Sequence, residues 1–587
     1  MSAFVKPPAA VTSTRPSSFY HEYQPNFEEE DAETQRYLAG KTFIKEPRKL
    51  RIIAIGAGAS CIAFAREVKE GRLSNIDLVI YEKNAGIGGT WWENRYAGCA
   101  CDVPSHSYQY TWAPNPGWTK YYSQAGEIRK YFEAVAREYD LNQYIRLDHE
   151  VIHAQWDSIK SQWILKIRKK GSGDILIDSC DIFVNGGGAF NNWKWPSIPG
   201  LPSTSIETMH SAAWNEGYDF TGKYVVVIGN GSSGMQVVAA LGKVVSKLTV
   251  VMRSPTWITA GFAPSLAGAE GANFKFSEEQ KRAWANDPEA YLNYRKQIEG
   301  ELNARHAFLM RGSRQQKAAR KFSYEQMSRA LNRKPDLINK LIPSYDVGCR
   351  RPTPGNGYLE TLVESHVDVS WGTPQRFTDK TMVLADGTEI EPDVVVCATG
   401  FDLSYKPRFP IIGRLGKLLG DQWTPDAKAY MSLAVPNFPN YLHYLGPATL
   451  LAHGSVIPPI EMLTEYFVKL INKVQRESYR TFEPLEECVN ELYEHHQEYL
   501  SHTVWSSHCP STFKNGNVEG RINLLHGGSR LHYFEMLREP RWEDFRWEAL
   551  ERGKRYEYFG NGRSSMEAIG ADNTWYLKHP KARLMRL

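Results

Sequence analysis

Two glycine-rich turns are where this 587-residue sequence is equipped for chemistry. The first lies in Arg51-Ile-Ile-Ala-Ile-Gly-Ala-Gly-Ala-Ser-Cys61, where a β-branched run enters Gly56-x-Gly58 and a helical stretch begins at Ile62. Gly56 permits the tight turn, and Gly58 lets the backbone approach a pyrophosphate at a helix N-terminus. The third position of the fingerprint, needed for close packing of helix on strand, holds Cys61 rather than Gly or Ala. The second turn lies in Lys223-Tyr-Val-Val-Val-Ile-Gly-Asn-Gly-Ser-Ser-Gly234, where Gly229, Gly231 and Gly234 complete the pattern. The residues ending the following strands separate the two turns. The run Asp77-Leu-Val-Ile-Tyr81 ends in Glu82, an acid that accepts ribose hydroxyls and repels a 2′-phosphate, which suits FAD or NAD rather than NADP. The run Leu248-Thr-Val-Val-Met252 ends in Arg253, a cation suited to a 2′-phosphate, so the second turn reads as NADPH-selective.

These turns require strands and helices in α/β order. The fold class is α/β: two Rossmann-like dinucleotide-binding domains, with a helical insertion in the second. A chain of this length exceeds one core. A third buried-type strand, Asp393-Val-Val-Val-Cys-Ala-Thr-Gly-Phe-Asp402, runs into a small-residue turn. From about Ser277 to Leu341 the chain is polar and reads as helical, with Ser277 opening the first helix. Helical spacing returns from Glu461 to about Leu500, and the tail groups Trp542, Phe545 and Trp547.

Composition excludes several classes. Lys plus Arg is 70 and Asp plus Glu is 66, a balance of +4 that argues against a nucleic-acid binder. The 8 Cys are scattered with no C-x-x-C pair and no zinc spacing, which predicts a reduced intracellular protein and no metal site. No apolar run approaches the ~20 residues that span a bilayer. Met1 to Pro8 lacks a signal-peptide core, so a cytoplasmic protein with an N-terminal extension, partly mobile, is expected. No Ser-His-Asp constellation is present.

Further motifs carry a family resemblance. Gly88-Gly-Thr-Trp-Trp92, then Asn94-Arg-Tyr-Ala-Gly-Cys-Ala-Cys-Asp102 and Tyr108, follow the first ribose acid. Gly348-Cys-Arg-Arg-Pro352 follows the helical stretch. Leu445-Gly-Pro, Ala452-His-Gly-Ser455 and Cys509-Pro-Ser511 come later. With these, the chain after residue 48 resembles the FAD-dependent Baeyer–Villiger monooxygenases, of the 4-hydroxyacetophenone type and a fungal secondary-metabolism member. The family's linker pattern F-x-G-x-x-x-H-x-x-x-W-P/D is met by His210 and Trp214, while Thr204, Ile206 and Asn215 depart from it. Thr512, followed by Phe513, stands where many relatives carry an aromatic.

The resemblance implies an extension at 1–47, an FAD domain at 48–190 and 389–587, an NADPH domain at 191–260 and 347–388, and the helical insertion at 261–346. It implies FAD contacts from Gly56, Gly58, Glu82, Gly89, Thr90, Trp91, Trp92, Ala100, Cys101, Asp102 and Tyr108. It implies NADPH contacts from Gly229, Asn230, Gly231, Ser232, Ser233, Gly234, Met235, Gln236, Arg253, Ser254 and Arg350. NADPH would reduce FAD, and O2 would give a flavin peroxide that attacks a small-molecule ketone and yields an ester or lactone. Arg351 would stabilise the anions formed, with Asp102 beside it to hold the guanidinium. Two rivals remain: a flavin monooxygenase oxidising nitrogen or sulfur, which shares both folds without needing Arg351, and a non-catalytic NADPH-binding protein. A flavin disulfide reductase would need a redox-active Cys pair.

Overall fold

The computed structural model describes residues 31–577. Of the expected N-terminal extension, residues 1–30 lie outside this range. The remainder opens with a short helix, Ala32–Leu38, capped by the Asp31 carboxylate.

β-Branched runs with both faces buried build two parallel five-stranded sheets, as expected where helices cover both sides. The first orders its strands Tyr441–His443, Ile182–Asn185, Leu50–Ile55, Ile76–Tyr81 and Ile145–Arg146. Leu50, Ile52, Ile53 and Ala54 are all fully buried there. The second orders Val367–Trp371, Lys247–Met252, Tyr224–Ile228, Val394–Cys397 and Glu207–His210. Each glycine turn leaves a central strand at its C-terminal end and feeds a helix, Ala59–Lys69 in the first unit and Ser232–Leu241 in the second. That places both turns where ligands bind in open α/β sheets.

A four-stranded sheet of Ile411–Ile412, His149–Asp157, Gln162–Lys169 and Ile175–Cys180 flanks the first unit. Residues 278–341 form four helices, Glu278–Asn286, Pro288–Ala304, Arg314–Ala330 and Pro335–Leu341. The Ser277 hydroxyl caps the first by accepting from the Gln280 N–H at 3.1 Å.

Three readings of the sequence are corrected. The strand Val394–Cys397 hydrogen-bonds to Tyr224–Ile228 and Glu207–His210, so residues past 389 still belong to the second sheet. The span 461–500 is not one helical region. Helices Ile457–Arg476 and Glu486–Ser501 enclose the strand Tyr479–Pro484, which pairs with Phe545–Ala549 of the aromatic tail. The cysteines are not all reduced, because Cys349 and Cys509 form a disulfide with Cα atoms 6.6 Å apart. Their 160-residue separation gives no local signature.

No helix among the described residues is long and apolar enough to cross a membrane.

Candidate active site

The first glycine turn is a cradle made of backbone. Gly56 has φ +91°, and a Cβ there would stand 2.6 Å from the Gly186 carbonyl oxygen. Gly89 has φ +53°, and its Cβ would stand 2.9 Å from the Gly58 Cα. The loops 56–58 and 88–89 therefore close on each other with no side chain between them. Gly58 caps helix Ala59–Lys69 without a side-chain partner, leaving the N-terminal amides of that helix facing this space. Cys61, at the unusual third position, is fully buried, and its sulfur occupies the space a Cβ at Gly186 would need. Loss of the small residue on the helix is thus matched by a glycine on the neighbouring strand end.

Glu82 is only 3% exposed. Its Oε2 accepts from the Ala57 N–H and its Oε1 from the Asn84 N–H, both at 2.7 Å. Burial raises its pKa, against the pull of these two donors. The predicted ribose acid is therefore locked to the glycine turn itself. This cradle, with a helix N-terminus and an acid at its edge, fits the pyrophosphate and ribose of a dinucleotide.

Beside it, Trp91 Nε1 donates to the Tyr108 hydroxyl at 3.1 Å, with the rings edge to face at 5.5 Å. Trp92 lies under the guanidinium groups of Arg95 and Arg129. Thr90 is exposed at the start of the short helix Thr90–Glu93. Cys101 is buried, and desolvation pushes its thiol pKa up, which keeps it protonated and unreactive.

The second turn repeats the plan. Gly229 has φ +117° and Gly231 caps helix Ser232–Leu241. A Cβ on Gly231 would meet nothing within 4 Å, so the mouth of this turn is open. Asn230 Nδ2 donates to the Ser254 carbonyl at 3.0 Å, tying the turn to the end of the next strand. Gly234 and Met235 are buried, while Ser232 and Ser233 are half-buried. Arg253 is exposed at the strand end. Gln236 faces the first unit. Its Nε2 donates to the Ala100 carbonyl at 3.0 Å, and its Oε1 accepts from the Tyr96 hydroxyl at 2.8 Å.

The Arg-Arg-Pro segment ties the mouth of the second turn to Asp102 of the first unit. Arg351 makes a bidentate pair with Asp102, Nη1 to Oδ2 and Nη2 to Oδ1, the latter at 2.9 Å. Arg351 Nη1 also lies 3.5 Å from the Ser232 hydroxyl at the mouth of the second turn. The protein's desolvation of the guanidinium opposes its charge, but the Asp102 carboxylate outweighs this and raises the pKa, so Arg351 stays cationic. Its side chain keeps 44% exposure against 16% for Asp102, a held anion with a cation at the lip. Arg350 points the other way. Its Nη1 donates to the Ser254 hydroxyl at 2.9 Å and its Nε to the Pro510 carbonyl at 2.7 Å.

His210 sits at the end of strand Glu207–His210. Its Nε2 lies 3.1 Å from the Thr399 hydroxyl, its Nδ1 accepts from the Ala212 N–H at 3.1 Å, and its ring stacks on Trp193 at 4.5 Å. Burial pushes its pKa down to about 4, which holds it neutral. It is a packed connector between residues 207–210 and 394–399. Trp214 stacks on Phe220 at 5.3 Å. Sequence reading missed Arg530, 2% exposed and ion-paired to Glu299, which in turn accepts from the Ser107 hydroxyl one residue before Tyr108. An isolated Arg far along the chain offers no local signal for such a pair.

Residues 49–265 match the model of a family described as flavin-binding monooxygenase-like. The chain is 39% identical over 507 residues to an FAD-binding monooxygenase of Emericella nidulans, covering 85% of this chain and 83% of that one. This chain belongs to the flavin-binding monooxygenases. A Baeyer–Villiger monooxygenase of Streptomyces coelicolor is 30% identical to this monooxygenase over 460 residues, covering 78% of this chain and 85% of the relative. The crystal structure of cyclohexanone monooxygenase from Rhodococcus sp. Phi1 bound to NADP+ superposes with a TM-score of 0.73 at 26% identity, covering 86% of this chain and all of that one.

Proposed function

We propose that this NADPH-dependent flavoprotein monooxygenase is a Baeyer–Villiger enzyme, inserting one oxygen atom of O2 beside a ketone carbonyl to give an ester or lactone. The observation that carries the reading is the Arg351–Asp102 pair, which sets a residue of the first unit against the mouth of the second glycine turn, within reach of Ser232. FAD, reduced by NADPH, supplies the electrons and the activated oxygen when both are bound. Gly56, Gly58 and the amides of helix Ala59–Lys69 hold the FAD pyrophosphate, with Glu82 on the ribose. The mouth at Gly231 and helix Ser232–Leu241 hold the NADPH pyrophosphate, with Arg350 and Ser254 on the 2′-phosphate. Attack on a ketone leaves negative charge on the carbonyl oxygen. The planar, permanently charged fork of Arg351 stabilises that anion, and Asp102 holds the fork in plane. Oxidation of an amine or sulfide develops no such alkoxide, so a heteroatom-oxidising enzyme would have no use for the pair.

The test is a ketone panel with the FAD-loaded enzyme, NADPH and air, read by mass spectrometry beside Arg351→Ala. A one-oxygen gain as ester or lactone, lost by roughly 100-fold or more in the variant while flavin reduction persists, supports the reading. Oxidation of amines or sulfides alone, undiminished in the variant, overturns it.

A further inference from the structure

The disulfide lies directly beneath the arginine pair. Cys349 immediately precedes Arg350 and Arg351, and its sulfur is bonded to Cys509. Both residues are fully buried. Segment 507–514 is laced to the arginine segment around this bond. Arg350 Nε donates to the Pro510 carbonyl at 2.7 Å, next in sequence to Cys509. The Ser507 hydroxyl donates to Asp346 Oδ2 at 2.6 Å. Lys514, only 3% exposed, donates from Nζ to the Ser507 carbonyl at 2.9 Å. Gly348, with φ +100°, leaves so little space that a Cβ would stand 3.0 Å from a Val504 methyl. Among the described residues, the S–S bond is the covalent tie in an otherwise hydrogen-bonded floor.

We propose that Cys349–Cys509 is a redox-responsive clasp that positions Arg350, and with it Arg351, for NADPH binding and coupled oxygenation. Cys349 and Cys509 are positioning residues, acting through the guanidinium groups that follow and oppose them. Closed, the clasp fixes the distance from the Arg350 backbone to the Pro510 carbonyl and so aims Nη1 at Ser254. Opened, the Cys349 thiol has an acceptor ready, the Ser507 carbonyl 3.4 Å from its sulfur, so the floor loosens without coming apart.

The electron balance closes with reagents of known class. Closing breaks two S–H bonds and forms one S–S bond. The two electrons and two protons pass to hydrogen peroxide, giving two waters. Hydrogen peroxide is what forms when the two electrons of NADPH reach O2 without an organic substrate, so futile turnover generates the oxidant locally. Because both sulfurs are buried, opening begins with segment 507–514 lifting locally; the thiolate of a dithiol reductant then attacks one sulfur and its second thiol resolves the mixed disulfide, leaving the reductant as its own disulfide.

The proposal rests on the arginine roles given above, but its test does not need a ketone to be oxidised. The FAD-loaded full-length enzyme is alkylated without prior reduction and mapped by peptide mass spectrometry. NADPH and NADH oxidation and peroxide release are then followed with and without dithiothreitol, in the wild type and in Cys349→Ser/Cys509→Ser. The expected results are a linked peptide containing Cys349 and Cys509 and an NADPH KM raised about 10-fold by dithiothreitol, the size of one lost charge-assisted hydrogen bond. The NADH KM does not move, peroxide release rises, and hydrogen peroxide restores the original KM. The double variant sits at the reduced values and ignores both reagents. No linked peptide in the air-oxidised enzyme, an NADPH KM indifferent to dithiothreitol, or equal effects on both nucleotides overturns the clasp. The wild-type arm keeps the test valid if the double variant does not fold. A linked peptide and an NADPH-specific shift, with no ketone oxidised, leaves the clasp standing and removes the Baeyer–Villiger reading instead.

Discussion

Gln236 and Ala100 are joined across the two dinucleotide-binding units by a hydrogen bond of 3.0 Å. The same amide accepts from the Tyr96 hydroxyl, and Gly98 brings the two backbones together, since a Cβ there would stand 2.6 Å from the Gln236 carbonyl. Two residues beyond Ala100 stands Asp102, the anchor of Arg351. Helix Ser232–Leu241 thus fixes the carboxylate that holds the guanidinium.

Replacing Gln236 by Leu removes this bridge and leaves the Ala100 carbonyl without its donor, while the Tyr96 hydroxyl keeps Ser233 and Cys99. The expected cost is about 1–3 kcal/mol of stability. The variant also loses more of its NADPH electrons to peroxide than to product. Thermal unfolding and the ratio of product formed to NADPH consumed check the two effects. Unfolding unchanged together with unchanged coupling would show that the bridge has no such role.

The packing of Cys61 against Gly186 predicts a compensating pair. Gly186→Ala places a methyl against the Cys61 sulfur and 3.0 Å from the Ile55 carbonyl, with an expected cost of about 1–3 kcal/mol and weakened FAD retention. Cys61→Gly relieves the larger of these clashes, so the double variant is expected to recover most of the loss. A double-mutant cycle on denaturant unfolding of the FAD-loaded enzyme reads the coupling. Additive effects would mean that the two residues do not share the space.

What the sequence made legible was local. Each fingerprint puts its glycines, its strand and its terminal Glu82 or Arg253 within about thirty residues, and backbone geometry alone demands those residue types. The Asp102–Arg351 pair, 249 residues apart, became visible only because each stood in a recognisable run. What stayed hidden were relations between distant segments whose residue types are ordinary. Cys349 and Cys509 carry no spacing rule, and a Gln in the second turn of a helix gives no sign of which face it turns to another unit. The strand Tyr479–Pro484 was masked by the two helices around it. Val394–Cys397 reads as a buried strand in either sheet, and only pairing with Tyr224–Ile228 and Glu207–His210 decides which.

The placement of Arg350 beside Ser254, with Arg253 exposed at the strand end, predicts unequal shares in nucleotide choice. Arg350→Ser is expected to raise the KM for NADPH by about 10- to 100-fold, the range for losing a charge-assisted contact. The KM for NADH should stay within about two-fold, because NADH presents no 2′-phosphate. Arg253→Ser should move the same preference less, since a solvated guanidinium contributes less than one held by neighbours. Steady-state kinetics with both nucleotides check this. Equal losses for NADPH and NADH in Arg350→Ser would take Arg350 away from the 2′-phosphate.

Acid should unfold this enzyme through its buried histidines. Burial pushes the pKa of His106 and His453 down to about 3 and that of His210, His443 and His496 down to about 4, from an ordinary value of 6.5. His526 is lowered well below that value too, by burial first and then by the neighbouring His496 and His532. In the unfolded chain each would bind a proton near pH 6.5, whereas in the folded protein each stays neutral to lower pH. The unfolded state therefore binds more protons between these limits, and stability falls as pH falls. The contribution is fully present above pH 6.5 and is lost progressively toward pH 4. His496 and His526 pack edge to face at 5.0 Å, and His526 Nε2 lies 3.0 Å from His532 Nδ1, so charging one ring opposes charging the next. The measurement is the unfolding midpoint of the FAD-loaded enzyme from pH 8 to pH 4. The midpoint should be flat above pH 7 and fall steeply below pH 6.5, and His496→Gln, which removes one of the rings that must charge, should flatten the fall. A midpoint independent of pH across this range would mean that the cluster does not control the acid limit.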